Sequence, residues 1–145
     1  MPRKYRVFID TSALIAGLNS PTGAAGAVLA LCVSGSIIPI ISPQVIAEME
    51  ENIPLKFQRL IEPWASFLLL PPDVTKPPFL GAVRTAHAIL PTSDAPILAS
   101  ALEAKPDALI TWNTRDFKRP SVIAAAPFPI LTPGEFLARF RDGTL

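Results

Sequence analysis

From Thr11 to Ala47 the chain carries no Lys, Arg, Asp or Glu. An uncharged run of that length leaves two outcomes: a membrane span, or interior elements of a packed domain. A transmembrane helix needs about 20 consecutive, mostly apolar residues. Ser20-Pro21-Thr22-Gly23, Ser34-Gly35-Ser36, Pro39 and Pro43 cut the run into pieces too short to cross. We read it as core elements, and no membrane partner is expected.

The composition agrees with a packed core. Of 145 residues, 50% are hydrophobic and 17% are charged, against roughly 25% charged in an average globular chain. The length suits one α/β domain spanning residues 1–145. With 13 Lys+Arg against 12 Asp+Glu the net charge is +1. That balance excludes an acidic tail and a basic coat, but leaves room for a local basic patch. It also excludes intrinsic disorder. Proline is abundant, 17 residues against 7 glycines, which points to a stiffened scaffold. Cys32, the single cysteine, sits in an apolar run and reads as a buried thiol. The basic N-terminus, which includes Arg3, Lys4 and Arg6, is not followed by an apolar segment of signal-peptide length, because Asp10 interrupts it. Cytoplasmic location is therefore the expectation.

Apolar β-prone runs alternate with helical segments. Strands are expected over Tyr5–Ile9, Ile37–Ile41, Phe67–Leu70, Leu109–Thr111 and Phe128–Leu131. Pro39 argues for an edge or a bulge in the second. Helices are expected from Thr11 or Ser12 as cap to about Leu18, over Ala24–Val33, and from the Ser42 cap with Pro43 in the first turn to about Asn52. Further helices are expected over Leu80–Leu90, Ser93–Glu103 and, after the capping box Thr132-Pro133-Gly134-Glu135, Phe136–Phe140. Leu55–Ser66 reads as a broken helical region and Trp112–Pro120 as a polar, basic loop. The alternation predicts a parallel sheet covered on both faces, with no internal repeat and no linker.

In such folds ligands sit beyond the carboxyl ends of the strands. Asp10 directly follows the first strand and Asp116 lies in the loop after the fourth. Glu48 lies in the helix after the second strand, and Asp94 at the start of the helix before the fourth. Four carboxylates could converge there. Like charges held together repel and raise one another's pKa unless a cation joins them. Oxygen ligands favour Mg²⁺ or Mn²⁺, whereas zinc prefers His and Cys; this chain has one of each. Each acid also has an ordinary alternative: Asp10 as a helix cap, Glu48 as a solvated helix residue like Glu50 and Glu51, Asp94 as a partner of a helix dipole, Asp116 as a loop carboxylate.

The order of four segments carries a resemblance. They are Val7-Phe8-Ile9-Asp10-Thr11-Ser12-Ala13-Leu14-Ile15, Ser42-Pro43-Gln44-Val45-Ile46-Ala47-Glu48, Ser93-Asp94-Ala95-Pro96-Ile97-Leu98-Ala99-Ser100-Ala101, and Asp107-Ala108-Leu109-Ile110-Thr111-Trp112-Asn113-Thr114-Arg115-Asp116-Phe117. Across residues 7–117 the chain resembles PIN domains, most of all the small prokaryotic VapC-like toxins. The resemblance implies a three-layer α/β/α sandwich whose five-stranded parallel sheet has the order 3-2-1-4-5. It implies that Asp10, Glu48, Asp94 and Asp116 hold Mg²⁺ or Mn²⁺ for RNA cleavage, with Ser12, Thr111 and Asn113 as supporting polar residues. Toxin members of the family pair with a small antitoxin, and homodimers are common. Asn113 departs from the pattern, since some relatives have a carboxylate there.

RNA binding needs positive charge beside the acids. Arg115, Lys118 and Arg119 flank Asp116, and Trp112 could stack on a base or pack at the strand end. Arg3, Lys4 and Arg6 read as a solvated strand start or a second phosphate contact. His87 reads as a surface or helix-packing residue. No GxGxxG or GxxxxGK[ST] pattern occurs, so a dinucleotide or P-loop site has no support. The leading expectation is a metal-dependent endoribonuclease, with an inactive PIN-like module that binds RNA or protein as the alternative. An aspartyl-phosphate phosphatase is disfavoured, because Asp10-Thr11-Ser12 lacks the second Asp of that pattern.

Overall fold

The computed structural model describes residues 4–145, so Arg3 lies outside the described residues. Strand β1 (Tyr5–Ile9) leads into helices α1 (Thr11–Asn19) and α2 (Ala24–Val33). Then come β2 (Ile37–Ile41), α3 (Pro43–Lys56), a 3₁₀ turn at Gln58–Leu60, α4 (Ile61–Leu68) and β3 (Asp73–Val74). The second half comprises α5 (Leu80–Ile89), α6 (Ala95–Ala104), β4 (Ala108–Ile110), α7 (Thr114–Phe117), α8 (Pro120–Ala125), β5 (Ile130–Leu131) and α9 (Pro133–Asp142). The sheet is parallel throughout, in the order β3-β2-β1-β4-β5, as expected for a PIN-like α/β/α fold.

β1 is the centre of the sheet. Val7, Phe8 and Ile9 are consecutive, so their side chains alternate between faces, yet none is more than 1% exposed. Both faces are therefore covered. Helix α2 packs on α1 and α9, while α6 packs on α5 and α3. Among the described residues no single helix is long and apolar enough to cross a membrane, and α1 and α2 meet at 91°. Much of the uncharged run is interior, with Leu14, Val28, Cys32, Ile40 and Ile41 in the core, while Val33 and the turn residues Ser20 and Ser34 are exposed. Cys32 is buried, and burial pushes its thiol up to about 12.

Several local expectations change. Residues Phe67 and Leu68 close α4 instead of opening a strand, because Trp64 and Phe67, one helical turn apart, both turn inward and stack at 6.0 Å. The third strand lies later, at Asp73–Val74. β2 is an inner strand, but β3 pairs only with Ile40 and Ile41. At Pro39, then, β2 has β1 as its one strand neighbour, which suits a residue with no N–H. Helix α3 runs past Asn52 to Lys56 with Pro54 inside it. The carbonyl that Pro54 leaves without a partner belongs to Glu50, which is exposed to water. The basic stretch after β4 is not a loop: α7 and α8 cover much of it. Ser42 caps α3, and Thr132 and Glu135 form the capping box of α9, as expected.

The α1–α2 corner depends on absent side chains. A Cβ on Gly26 would fall far inside contact distance of the Pro21 carbonyl oxygen, and one on Gly17 would lie 2.9 Å from the Ala25 oxygen. Backbone cannot give way as a flexible side chain can. Gly26→Ala should therefore lower the urea midpoint, by about 1–3 kcal/mol of stability. Gly134→Ala, where a Cβ meets nothing within 4 Å, should not lower it.

Candidate metal centre

The pairing of β1 with β4 joins Ile9 to Ile110 in register. The next residues, Asp10 and Thr111, therefore emerge side by side at the carboxyl ends of the two strands. The Asp10 N–H continues the ladder by donating to the Ile110 oxygen at 3.0 Å. Asp10 is itself the N-cap of α1, accepting from the Thr11 N–H at 2.7 Å. The cap is thus not Thr11 or Ser12, whose hydroxyls are turned to other carboxylate oxygens.

Asp10 is 4% exposed. Its Oδ2 accepts from Thr111 Oγ1 at 2.8 Å and from Ser12 Oγ at 3.0 Å. Ser12 Oγ also accepts from the Trp112 N–H at 3.0 Å, so this one hydroxyl fastens the end of β4 to the start of α1. Thr11 Oγ1 donates to Glu48 Oε1 at 2.9 Å. Glu48 is half-buried on α3, one position before the fully buried Met49, whereas Glu50 and Glu51 are solvated.

Asp94 precedes α6 in the cap position, yet its side chain caps nothing. Its Oδ2 instead accepts one amide proton of Asn113 at 3.0 Å. The other amide proton goes to Asp116 Oδ2 at 3.1 Å, while Asn113 Oδ1 accepts from the Asp116 N–H as the cap of α7. Arg119 donates to Asp116 Oδ1 at 3.0 Å.

A family model for the PIN domain matches residues 6–115. The chain belongs to the PIN-domain family. PIN domains are generally nucleases, and those nucleases typically use divalent metals. Comparison with curated proteins gave no match. Among solved structures the chain is similar to one in the crystal structure of VapBC2 from Rickettsia felis bound to a DNA fragment from their promoter. The TM-score is 0.59 at 19% identity, covering 87% of this chain and 96% of that one; the likeness is one of fold.

In this PIN domain the acids share one electrostatic field. Burial, and then the charges of Asp10, Glu48 and Asp116, push the Asp94 carboxyl up to about 6, with the Asn113 amide opposing. Burial raises Glu48 as well; the Thr11 hydroxyl opposes and the charge of Asp10 adds. Burial likewise raises Asp10 against the bonds from Thr111, Ser12 and Thr11. Among the described residues no three such groups close into a ready-made ligand set. The four acids offer only oxygen donors, the ligand type that Mg²⁺ and Mn²⁺ prefer.

The basic residues divide. Arg115 is exposed, Lys118 is paired with Glu135 at 2.6 Å, and Arg119 is paired with Asp116. Trp112 is 46% exposed. Lys4 and His87 are exposed, and Arg6 bonds Asp73 and the Ala104 carbonyl, away from the acids. Sequence reasoning missed Thr11 as the partner of Glu48 and Arg119 as the partner of Asp116. The second had a readable signal, an acid and an arginine three residues apart; the first, across 37 positions, had none.

The raised carboxyl has a thermodynamic consequence. An acid whose folded pKa exceeds its ordinary 3.8 binds its proton more tightly when folded. The stability it contributes is greatest below that value and falls as pH rises through about 6. Asp94→Asn removes the loss. In EDTA at pH 7.5 the variant should be more stable than the parent, by about 1 kcal/mol after discounting for solvent screening. The difference should disappear below pH 4 in urea titrations.

Proposed function

We propose that the chain is a metal-dependent endoribonuclease that cleaves RNA phosphodiester bonds, and that it serves as the toxin of a toxin–antitoxin pair. The observation that carries the nuclease reading is the hydrogen bonding that gathers the acids near the carboxyl ends of β1 and β4: Glu48 to Thr11, Asp10 to Thr111, and Asp94 and Asp116 to Asn113. Carboxylates grouped in this way repel one another unless they are protonated or joined by a cation, and the donors are those that Mg²⁺ or Mn²⁺ prefers. When bound, such an ion supplies a nucleophilic water and a counter-charge for a phosphate oxygen.

The chain's own residues do the rest. Ser12, Thr111 and the Thr11 N–H fix the Asp10 carboxylate and leave lone pairs on Oδ1. Thr11 holds Glu48 by one oxygen, and Asn113 holds Asp94. Arg115, exposed beside Asp116, meets the RNA backbone, and Trp112 offers a face for an unstacked base. The toxin role rests on likeness of fold to a VapBC2 chain; on that reading the partners are a small antitoxin and a second copy of the chain. A PIN-like module without catalysis, binding RNA or protein, draws support from the lack of a closed ligand set among the described residues. It is distinguished by having no millimolar Mn²⁺ site.

The purified chain should cleave single-stranded RNA with Mn²⁺ and stop in excess EDTA. Asp10→Asn and Asp94→Asn should each lose more than the roughly 10–100-fold typical of outer-sphere partners, with circular dichroism unchanged. Full activity in either variant, or in EDTA, would defeat the nuclease reading.

A further inference from the structure

A second cleft, lined by none of the four acids, lies between α6 and the segment that contains β3. Its walls include Arg6, Asp73, Thr75, Lys76, Ser100 and Glu103, and its volume is about 330 Å³, within the range of small-molecule sites. Ser100 is the one polar residue among those that α6 buries, and it is 1% exposed. Its Oγ makes no hydrogen bond among the described residues, not even to the carbonyl one turn back that helical serines often use. The Thr75 hydroxyl is likewise buried and without a partner among the described residues. Buried hydroxyls are rarely left so, because hydration is lost and nothing replaces it.

Rigid elements hold both hydroxyls. The Thr75 N–H donates to the Ile41 oxygen at 3.0 Å, which extends the β2–β3 ladder to Thr75. Ser100 sits in the middle of α6, six residues beyond Asp94 and about 9 Å from it along the axis. Arg6 closes another wall: its guanidinium donates to the Ala104 carbonyl at 3.0 Å and to Asp73 at 3.4 Å. The Arg6 and Asp73 charges offset each other. That leaves the Lys76 ammonium and the Glu103 carboxylate, both exposed and neither ion-paired among the described residues. The complement of one free cation, one free anion and two hydroxyls is a zwitterion. An α-amino acid presents a carboxylate to Lys76 and the two hydroxyl protons, and an ammonium to Glu103. Glu103 also lines an apolar groove of about 490 Å³ between α5 and α6, with Ala82, Ala99 and Leu102 in its wall. A side chain that leaves the cleft past Glu103 meets carbon there, which favours an aliphatic one.

We propose that this cleft binds a free aliphatic α-amino acid, with Ser100, Thr75 and Lys76 on its carboxylate and Glu103 on its ammonium. The nuclease reading stands or falls separately. The test is titration of the full chain with L-leucine in EDTA, followed by calorimetry and by the amide resonances of Thr75, Lys76 and Ser100. The parent should bind with a millimolar or smaller Kd and shift those resonances. N-acetyl-L-leucine lacks the ammonium and L-leucinamide lacks the carboxylate. Each should bind at least about tenfold more weakly, the effect of a lost hydrogen bond to a charged group. Ser100→Ala removes a hydroxyl that bonds nothing in the free protein, so its urea midpoint should not fall, while its affinity for L-leucine should fall about tenfold. Glu103→Gln, on the exposed side of α6, should weaken L-leucine about tenfold and bring N-acetyl-L-leucine level with it. No binding by the folded parent, equal binding of either blocked form, or unchanged affinity in either variant overturns the inference. So does a lowered urea midpoint in Ser100→Ala, which would show that the hydroxyl already has a partner within the fold.

Discussion

The alignment of β1 with β4 is the constraint from which the site follows. Val7, Phe8 and Ile9 pair in register with Ala108, Leu109 and Ile110, and all six are at most 1% exposed. The Asp10 N–H, donating to the Ile110 oxygen, extends that pairing one step beyond the buried residues. The register therefore belongs to the core, and the polar residues inherit it. Asp10 and Thr111 become neighbours because they are the first residues beyond the last buried pair. Ser12 then ties the two chain segments together through the Trp112 N–H. The buried acid is placed by hydrophobic contacts that never touch it.

The way the acids are held matters as much as where they are. Asp10, Glu48 and Asp94 are fixed by hydroxyls, a backbone N–H and one amide. Neutral donors orient a carboxylate and lower its pKa somewhat, but they do not cancel its charge. A lysine in their place would cancel it and leave nothing for an incoming cation to gain. The raised Asp94 carboxyl is the cost of that choice, and the surrounding core offsets it. Sites of this kind lower the stability of the empty fold in exchange for a strong preference for a positive ligand.

The sequence spells out those elements whose signals are local. β1, β2 and α2 have the bounds their apolar runs predict, and the Ser42 cap and the Thr132–Glu135 box stand where their residue types place them. The errors occur where a tertiary contact outweighs a local cue. Phe67 is β-prone, but its stacking on Trp64 keeps it helical. Pro54 should end a helix, yet α3 continues past it to Lys56. The positions of Asp10 and Asp94 could be read because each lies at an element end that hydrophobic periodicity marks, whereas Glu48, inside α3, and Asp116, inside α7, were legible only through the family resemblance. Their hydrogen-bond partners could not be read: Thr11 to Glu48 and Asn113 to Asp94 cross 37 and 19 positions, and nothing local to either residue announces such a pairing.

The short stretch from Thr111 to Arg119 shows why residue type alone underdetermines role. It holds three cations within five positions, and the fold gives each a different surrounding. Thr114–Phe117 winds into a helical turn that buries Phe117 completely. That turn points Arg115 outward, while Arg119, just beyond it, reaches back to Asp116. Lys118 reaches α9 instead and meets Glu135, the residue whose carboxylate also closes the capping box. Two of the three positive charges are thus committed to the protein's own carboxylates. On the proposed reading RNA meets few free cations here, and each phosphate contact adds about one unit to the salt slope of binding. Affinity at this edge then depends less on attraction of the backbone than on the divalent ion between the acids and a phosphate. Substrate capture and chemistry would share that ion, and the net charge of +1 needs no larger basic surface elsewhere to be consistent with a nuclease.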